Sequence, residues 1–151
     1  MSADGSRQLS TAADKDGEKF EAWFHVRELD RSFQDDTPPL PVCREFLRNS
    51  HRELANRFDS GADIVELIRA RGWLIDQTLQ RCWDKVLTGF NGALVAVGGY
   101  GRNELLPGSD IDIMLLLAQP EDQLTKQQIE DFLMLLWDIG LEVGHSVRTP
   151  D

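Results

Sequence analysis

Residues 94–117 read Leu94-Val95-Ala96-Val97-Gly98-Gly99-Tyr100-Gly101-Arg102-Asn103-Glu104-Leu105-Leu106-Pro107-Gly108-Ser109-Asp110-Ile111-Asp112-Ile113-Met114-Leu115-Leu116-Leu117. An apolar run ends in Gly98-Gly99, a short polar segment follows, and Asp110 and Asp112 open a second apolar run. The two runs predict strands at 94–97 and 111–117, and alternation along a strand turns residues i and i+2 to one face, about 6.5–7 Å apart. Asp110 and Asp112 therefore share a face at the mouth of a strand otherwise built of Ile, Met and Leu. The local sequence offers them no neutralising partner, and burying unpaired charge is costly, so a bound divalent metal is the natural reading.

The glycines supply the other half of the site. Gly98 and Gly99 follow a strand and precede a helix-like segment, so their backbone can approach a phosphate closely and point N–H groups at it. Arg102 carries a fixed fork of donors suited to a polyphosphate, although it can instead pair with Glu104 or be solvated. Ser109 either touches a phosphate or caps the strand turn. Together these point to phosphoryl or nucleotidyl transfer assisted by two metal ions, with Asp110 and Asp112 as catalytic metal ligands. An edge strand with two solvated aspartates is the simpler alternative, and it leaves the gathering of every element in one window unexplained. A dinucleotide fingerprint is excluded because Gly99-Tyr100-Gly101-Arg102-Asn103-Glu104 ends in glutamate, and a Walker A loop because no Gly-Lys-Ser/Thr occurs.

Outward from this stretch, residues 1–18 are polar and mixed in charge and read as a disordered tail. Residues 19–33, with Phe20, Trp23, Phe24 and Leu29, predict one short helix, and the prolines at 38, 39 and 41 predict an extended linker over 35–41. Helical spacing of Cys43, Phe46, Leu47, Leu54 and Phe58 predicts a helix over 42–58. Asp63 with Glu66 predicts the capped start of a longer helix running to about residue 86, with Gly72 as a possible kink. Thr125 with Gln128 reads as a capping box before the stripe Ile129, Phe132, Leu133, Leu136 and Trp137, and a third strand is expected over 141–147. The fold class expected is α+β, a small mixed sheet with helices, divided into an extension over 1–41, helices over 42–88 and a catalytic core over 93–151. Trp73, Trp83 and Trp137 read as packing residues, Tyr100 as packing, and His145 as scaffold; His25 and His51 show no metal spacing.

Charge narrows the class of partner. The net charge of −10 divides into −4 over residues 1–45, +1 over 46–92 and −7 over 93–151. Most excess acid thus accompanies the aspartate pair, which suits a metal-attracting region and makes a poor surface for nucleic acid. Cys43 and Cys82 are isolated in sequence and read as buried small hydrophobes of a reducing cytoplasm. The first 30 residues carry no apolar leader and no run approaches the roughly 18 residues needed to span a membrane, so a cytoplasmic location is expected.

Gly98-Gly99 followed by Ser109-Asp110-Ile111-Asp112 resembles the signature of the DNA polymerase β-like nucleotidyltransferases. The fuller string Val97-Gly98-Gly99-Tyr100-Gly101-Arg102-Asn103-Glu104-Leu105 resembles, more narrowly, the bacterial PII uridylyltransferases, bifunctional uridylyl-transferring and uridylyl-removing enzymes of nitrogen regulation. Leu136-Trp137-Asp138-Ile139-Gly140-Leu141-Glu142-Val143-Gly144-His145-Ser146-Val147-Arg148-Thr149 is similar to the same family, as is the looser pattern Arg69-Ala70-Arg71, Ile75-Asp76, Leu79, Trp83. The resemblance covers residues 42–150 and departs at Asn103, where the family usually has a small residue, and at Leu106, where it often has histidine.

The resemblance implies a polymerase β-like core with Mg²⁺ (or Mn²⁺) on Asp110 and Asp112 and nucleotide on Gly98, Gly99, Arg102 and Ser109. It implies that a tyrosine hydroxyl of the PII signalling protein attacks the α-phosphate of UTP. It also implies a third carboxylate on a later strand beyond residue 151, a His-Asp metal domain that removes UMP, and two ACT domains that sense glutamine. Asp151, after Pro150 in an expected loop, is not given the third-carboxylate role. The chain then reads as the front piece of a longer enzyme. A protein adenylyltransferase or small-molecule nucleotidyltransferase of the same superfamily is the alternative chemistry, and a non-catalytic nucleotide-binding module is the alternative class.

Overall fold

The computed structural model describes residues 16–33, 36–102, 104–105 and 109–149. In chain order these form α1 (Gly17–Phe24), α2 (Val26–Ser32), α3 (Pro39–Asp59), α4 (Ile64–Val86), β1 (Gly92–Ala96), a single turn α5 (Gly98–Gly101), β2 (Ile111–Leu117), α6 (Gln123–Asp138) and β3 (Val143–Arg148). The sheet order is β1-β2-β3, antiparallel between β1 and β2 and parallel between β2 and β3, so the fold is α+β with a mixed sheet.

Alternation on β2 is complete: Ile111, Ile113, Leu115 and Leu117 are buried, whereas Asp112, Met114 and Leu116 are half-buried on the other face. The buried face of the sheet belongs to one core with the helices. Trp83 of α4 sets its ring edge-on to Phe132 of α6 at 5.9 Å and to Phe90 at 5.3 Å. Each such side chain, fully buried, contributes about 1.5–3 kcal/mol of transfer free energy. Arg44 of α3 donates from Nη2 to the carbonyl of Asp138 at 2.7 Å, which ties α3 to the end of α6.

The amino-terminal helices join that core. The expected single helix over 19–33 is two, because His25 takes φ 59° and ends α1 in the left-handed region, where histidine is tolerated better than most residues. Phe20, Trp23, Phe24, Val26 and Leu29 are buried against α3 and α4, and Phe24 stacks on Trp73 at 6.2 Å. The bidentate contact of Arg81 with Asp30, at 2.7 and 3.0 Å, pins α2 to α4.

The extended linker expected through residue 41 is instead the first turn of α3, which opens at Pro39. A helix leaves its first N–H groups without internal partners, so the missing donors of Pro39 and Pro41 cost nothing there. The N-cap of α4 is Asp63, which accepts from the Val65 N–H, and the helix runs through Gly72 unbroken. The cap of α6 is Asp122, accepting from the Thr125 N–H at 2.8 Å; Thr125 lies inside the helix and does not serve as the box residue expected of it. Strand ends shift by one or two residues from 94–97 and 141–147, since pairing rather than apolarity sets them. Cys43 and Cys82 are both buried, but they are not isolated from each other: their Sγ atoms lie 4.0 Å apart across α3 and α4. Trp137, expected to pack, is 47% exposed, with its Nε1 donating to the Val143 carbonyl. Residues 1–15, Asn103, Leu106 and Asp151 lie outside the described residues, as do the expectations placed on them. Among the described residues no helix is long and apolar enough to cross a membrane.

Candidate active site

The half-buried face of β2 carries the site. Register places Asp112 beside Gly144 of β3, Met114 beside Ser146 and beside Val95 of β1, and Leu116 beside Arg148. Asp110, exposed, precedes the strand by one residue and Ser109, half-buried, precedes Asp110. The alternation that buries Ile111 and Ile113 turns Asp112 to the opposite face, while Asp110 lies before the paired strand.

Asp112 sits in a slot between two backbones. A Cβ built on Gly98 would lie 2.9 Å from Asp112 Oδ2, and one built on Gly144 would lie 2.8 Å from Asp112 Oδ1. Both are closer than real side chains approach, so the carboxylate occupies room that exists because 98 and 144 are glycine. Gly98 has φ 62°, in the left-handed region, so its identity is required twice over. The Val97 N–H donates to the Asp112 carbonyl at 3.0 Å, which fixes the start of the glycine turn at the level of Asp112.

The rest of the turn is held from within the chain. A Cβ on Gly101 would meet the Ala96 carbonyl oxygen at 2.6 Å, so α5 folds back directly on β1. A Cβ on Gly99 would meet only ordinary contacts, 3.6 Å from the Glu104 carbonyl oxygen and 3.9 Å from Arg102 Nη2. Tyr100 is buried and its hydroxyl donates to Asp76 Oδ1 at 2.6 Å. Burial pushes the Tyr100 hydroxyl well above its ordinary value, and the neighbouring Asp76 charge and hydrogen bond push the same way. Arg102 points its Nε at Glu104 Oε1, 2.9 Å away, in an exposed ion pair.

Among the described residues neither carboxylate of the pair receives a hydrogen bond or an ion-pair partner. Two hard oxygen donors without a protein cation are the donor set that Mg²⁺ or Mn²⁺ prefers, so the residues present fit such an ion. Among the described residues no group of three or more His, Cys, Asp or Glu gathers where a metal could be held. His145 pairs with Ile113 in register and so lies on the opposite face from Asp112, its ring 6.2 Å from Trp137.

Gly144 borders Asp112, and Asp76 holds Tyr100 of the glycine turn; none of the three was assigned to the site from sequence. A glycine inside a predicted strand is the one local signal for Gly144, since it marks a close approach of another group. Nothing local relates Asp76 to Tyr100, which are 24 residues apart.

Comparison with known proteins converges on the same window. Residues 75–147 match the family model described as a nucleotidyltransferase domain. The chain is 50% identical over 115 residues to the bifunctional uridylyltransferase/uridylyl-removing enzyme of Pseudomonas putida, a match covering 75% of this chain and 13% of that protein. It is 49% identical over 113 residues to the enzyme of the same name from Pseudomonas aeruginosa, covering 74% of this chain and 13% of that protein. The Pseudomonas fluorescens protein is 48% identical over 115 residues, with 75% and 13% covered. The chain therefore spans about 13% of the length of the curated relatives it matches. No solved structure matches it.

Proposed function

We propose, from the match of residues 75–147 to the family model described as a nucleotidyltransferase domain, that this chain holds the metal and nucleotide of an enzyme transferring UMP from UTP to a protein tyrosine. The acceptor is the PII signalling protein, and the reaction joins its tyrosine oxygen to the α-phosphorus while the bond to the β-phosphate oxygen breaks, releasing pyrophosphate. The observation that carries the reading is the Asp112 carboxylate, seated between the backbones of Gly98 and Gly144 with no protein cation among the described residues.

Asp110 and Asp112 would hold Mg²⁺ (or Mn²⁺). When bound, the ions would neutralise the triphosphate and lower the pKa of the attacking hydroxyl. The chain's own residues do the positioning. The backbone at Gly98 borders Asp112, and together with Gly99 it would give the triphosphate an approach without side chains. Arg102 exchanges Glu104 for a phosphate oxygen, which costs little because an exposed ion pair contributes only about 0–1 kcal/mol. Ser109 offers its hydroxyl beside Asp110.

The names of the relatives support a uracil nucleotide over adenine. They also support the wider proposal of an enzyme that removes UMP; a cytoplasmic location and a response to glutamine join that proposal from the family resemblance alone. Calorimetric titration tests the reading. This chain should bind UTP in the presence of Mg²⁺, with ATP competing weakly, and Asp110→Asn and Asp112→Asn should each abolish the Mg²⁺-dependent part. A polypeptide of the relatives' length carrying this segment should label PII with UMP from radioactive UTP. Metal-independent UTP binding, unchanged in both variants, would sink the assignment.

A further inference from the structure

The turn Gly98–Gly101 contains three glycines and Tyr100. Three residues without side chains leave the turn one side-chain handle by which the rest of the molecule can hold it. That handle is buried and ends on Asp76, in the middle of α4.

Asp76 is itself 5% exposed, in a stretch of α4 where Leu74, Ile75, Thr78 and Leu79 are all buried. An ionised carboxylate in such a place is costly unless it is hydrogen-bonded. Well-packed apolar groups can often replace a buried charged network without loss of stability. A carboxylate does aim a phenol: the charge-assisted bond is short and directional. The Tyr100 hydroxyl stays protonated as the donor, for the reasons of burial and neighbouring charge given above.

We propose that the Asp76–Tyr100 hydrogen bond is a strut that sets the glycine turn against the aspartate strand, and that Asp76 and Tyr100 are positioning residues for the nucleotide triphosphate. The proposal rests on the uridylyltransferase reading for the identity of the ligand, and on geometry for the strut. At one end of the turn, Gly101 abuts the Ala96 carbonyl, so that end cannot advance. At the other end, Gly98 meets Asp112 Oδ2. Tyr100 lies between them, and its anchor on α4 therefore fixes the tilt of the Gly98 and Gly99 peptides over Asp112. Without the strut, the turn keeps its chain connection but samples other tilts, and the triphosphate must select one.

This chain has one tyrosine, so incorporation of 3-fluorotyrosine gives a single ¹⁹F resonance at the strut. Saturation with Mg·UTP should shift that resonance. Tyr100→Phe should raise amide hydrogen exchange at residues 98–102 about tenfold, leave exchange in the body of α4 unchanged, and weaken Mg·UTP binding about tenfold, the scale of one lost hydrogen bond to a charged group. Asp76→Asn keeps the volume and an acceptor oxygen but loses the charge, and should give an intermediate effect, about threefold on both readouts. A merely structural role would lower the unfolding temperature and move neither local exchange nor affinity; that result would overturn the proposal. It is equally overturned if Asp76→Asn leaves both readouts at wild-type values, a comparison that stands even where Tyr100→Phe fails to fold. If the wild-type chain binds no Mg·UTP, the uridylyltransferase reading and the ligand fall together. Local exchange then decides the strut alone, raised values upholding it and unchanged values removing it.

Discussion

Gly144→Ala is the sharpest perturbation that the site offers, because it adds one methyl group and touches one functional atom. The added Cβ would lie 2.8 Å from Asp112 Oδ1, about 0.6 Å inside the 3.4 Å at which ordinary contact begins. Gly144 and Asp112 are register partners in a parallel ladder, so neither backbone can retreat without breaking sheet bonds. The carboxylate is what gives. It cannot move towards the glycine turn, since Oδ2 already stands 2.9 Å from the Cβ position of Gly98. It must rotate out of the slot, at about 0.5–1.5 kcal/mol for an off-rotamer side chain. The stability loss is therefore small, about 1 kcal/mol. The functional loss is large, because misplacing a reacting or ligating group by about 1 Å costs on the order of 10²-fold. Calorimetry of Mg²⁺-dependent UTP binding, paired with thermal unfolding, measures both. Binding within threefold of wild type at an unchanged unfolding temperature would refute the slot as the determinant of Asp112 geometry.

Three further outcomes follow from single contacts. Gly101→Ala places a Cβ 2.6 Å from the Ala96 carbonyl oxygen, a backbone atom that cannot swing aside, so chemical denaturation should show a loss of about 1–3 kcal/mol, whereas Gly99→Ala should be nearly silent on stability. Glu104→Gln frees Arg102 from its 2.9 Å ion pair and should tighten Mg·UTP binding a few-fold, with Arg102→Ala weakening it; equal affinities for both variants would remove Arg102 from the phosphate site. Tyr100 has a raised folded-state value, so the folded chain keeps its proton where the unfolded chain loses it above the ordinary value of 10.0. Stability from this group is full below that pH and is lost as pH rises through the interval, and phenolate absorbance should appear only together with unfolding.

What could be read from the chain without a structure was local. The half-buried position of Asp112 between buried Ile111 and Ile113, the buried Leu115, and the stripe Ile129, Phe132, Leu133 and Leu136 all follow from periods of two and of 3.6 residues, which backbone geometry imposes on any sequence. The turn at Gly98, with its positive φ, was legible for the same reason, since few other residues adopt that conformation. Tertiary structure decided which glycine faces which aspartate. Gly144 meets Asp112 through the register of a parallel pair whose two strands are separated by α6, and no local pattern specifies that register. The same holds for Tyr100 on Asp76 and for Cys43 beside Cys82, contacts between elements that packing brings together. Local preference was overruled at Pro39, where a helix start, having donors to spare, accepts the residue that would end it anywhere later.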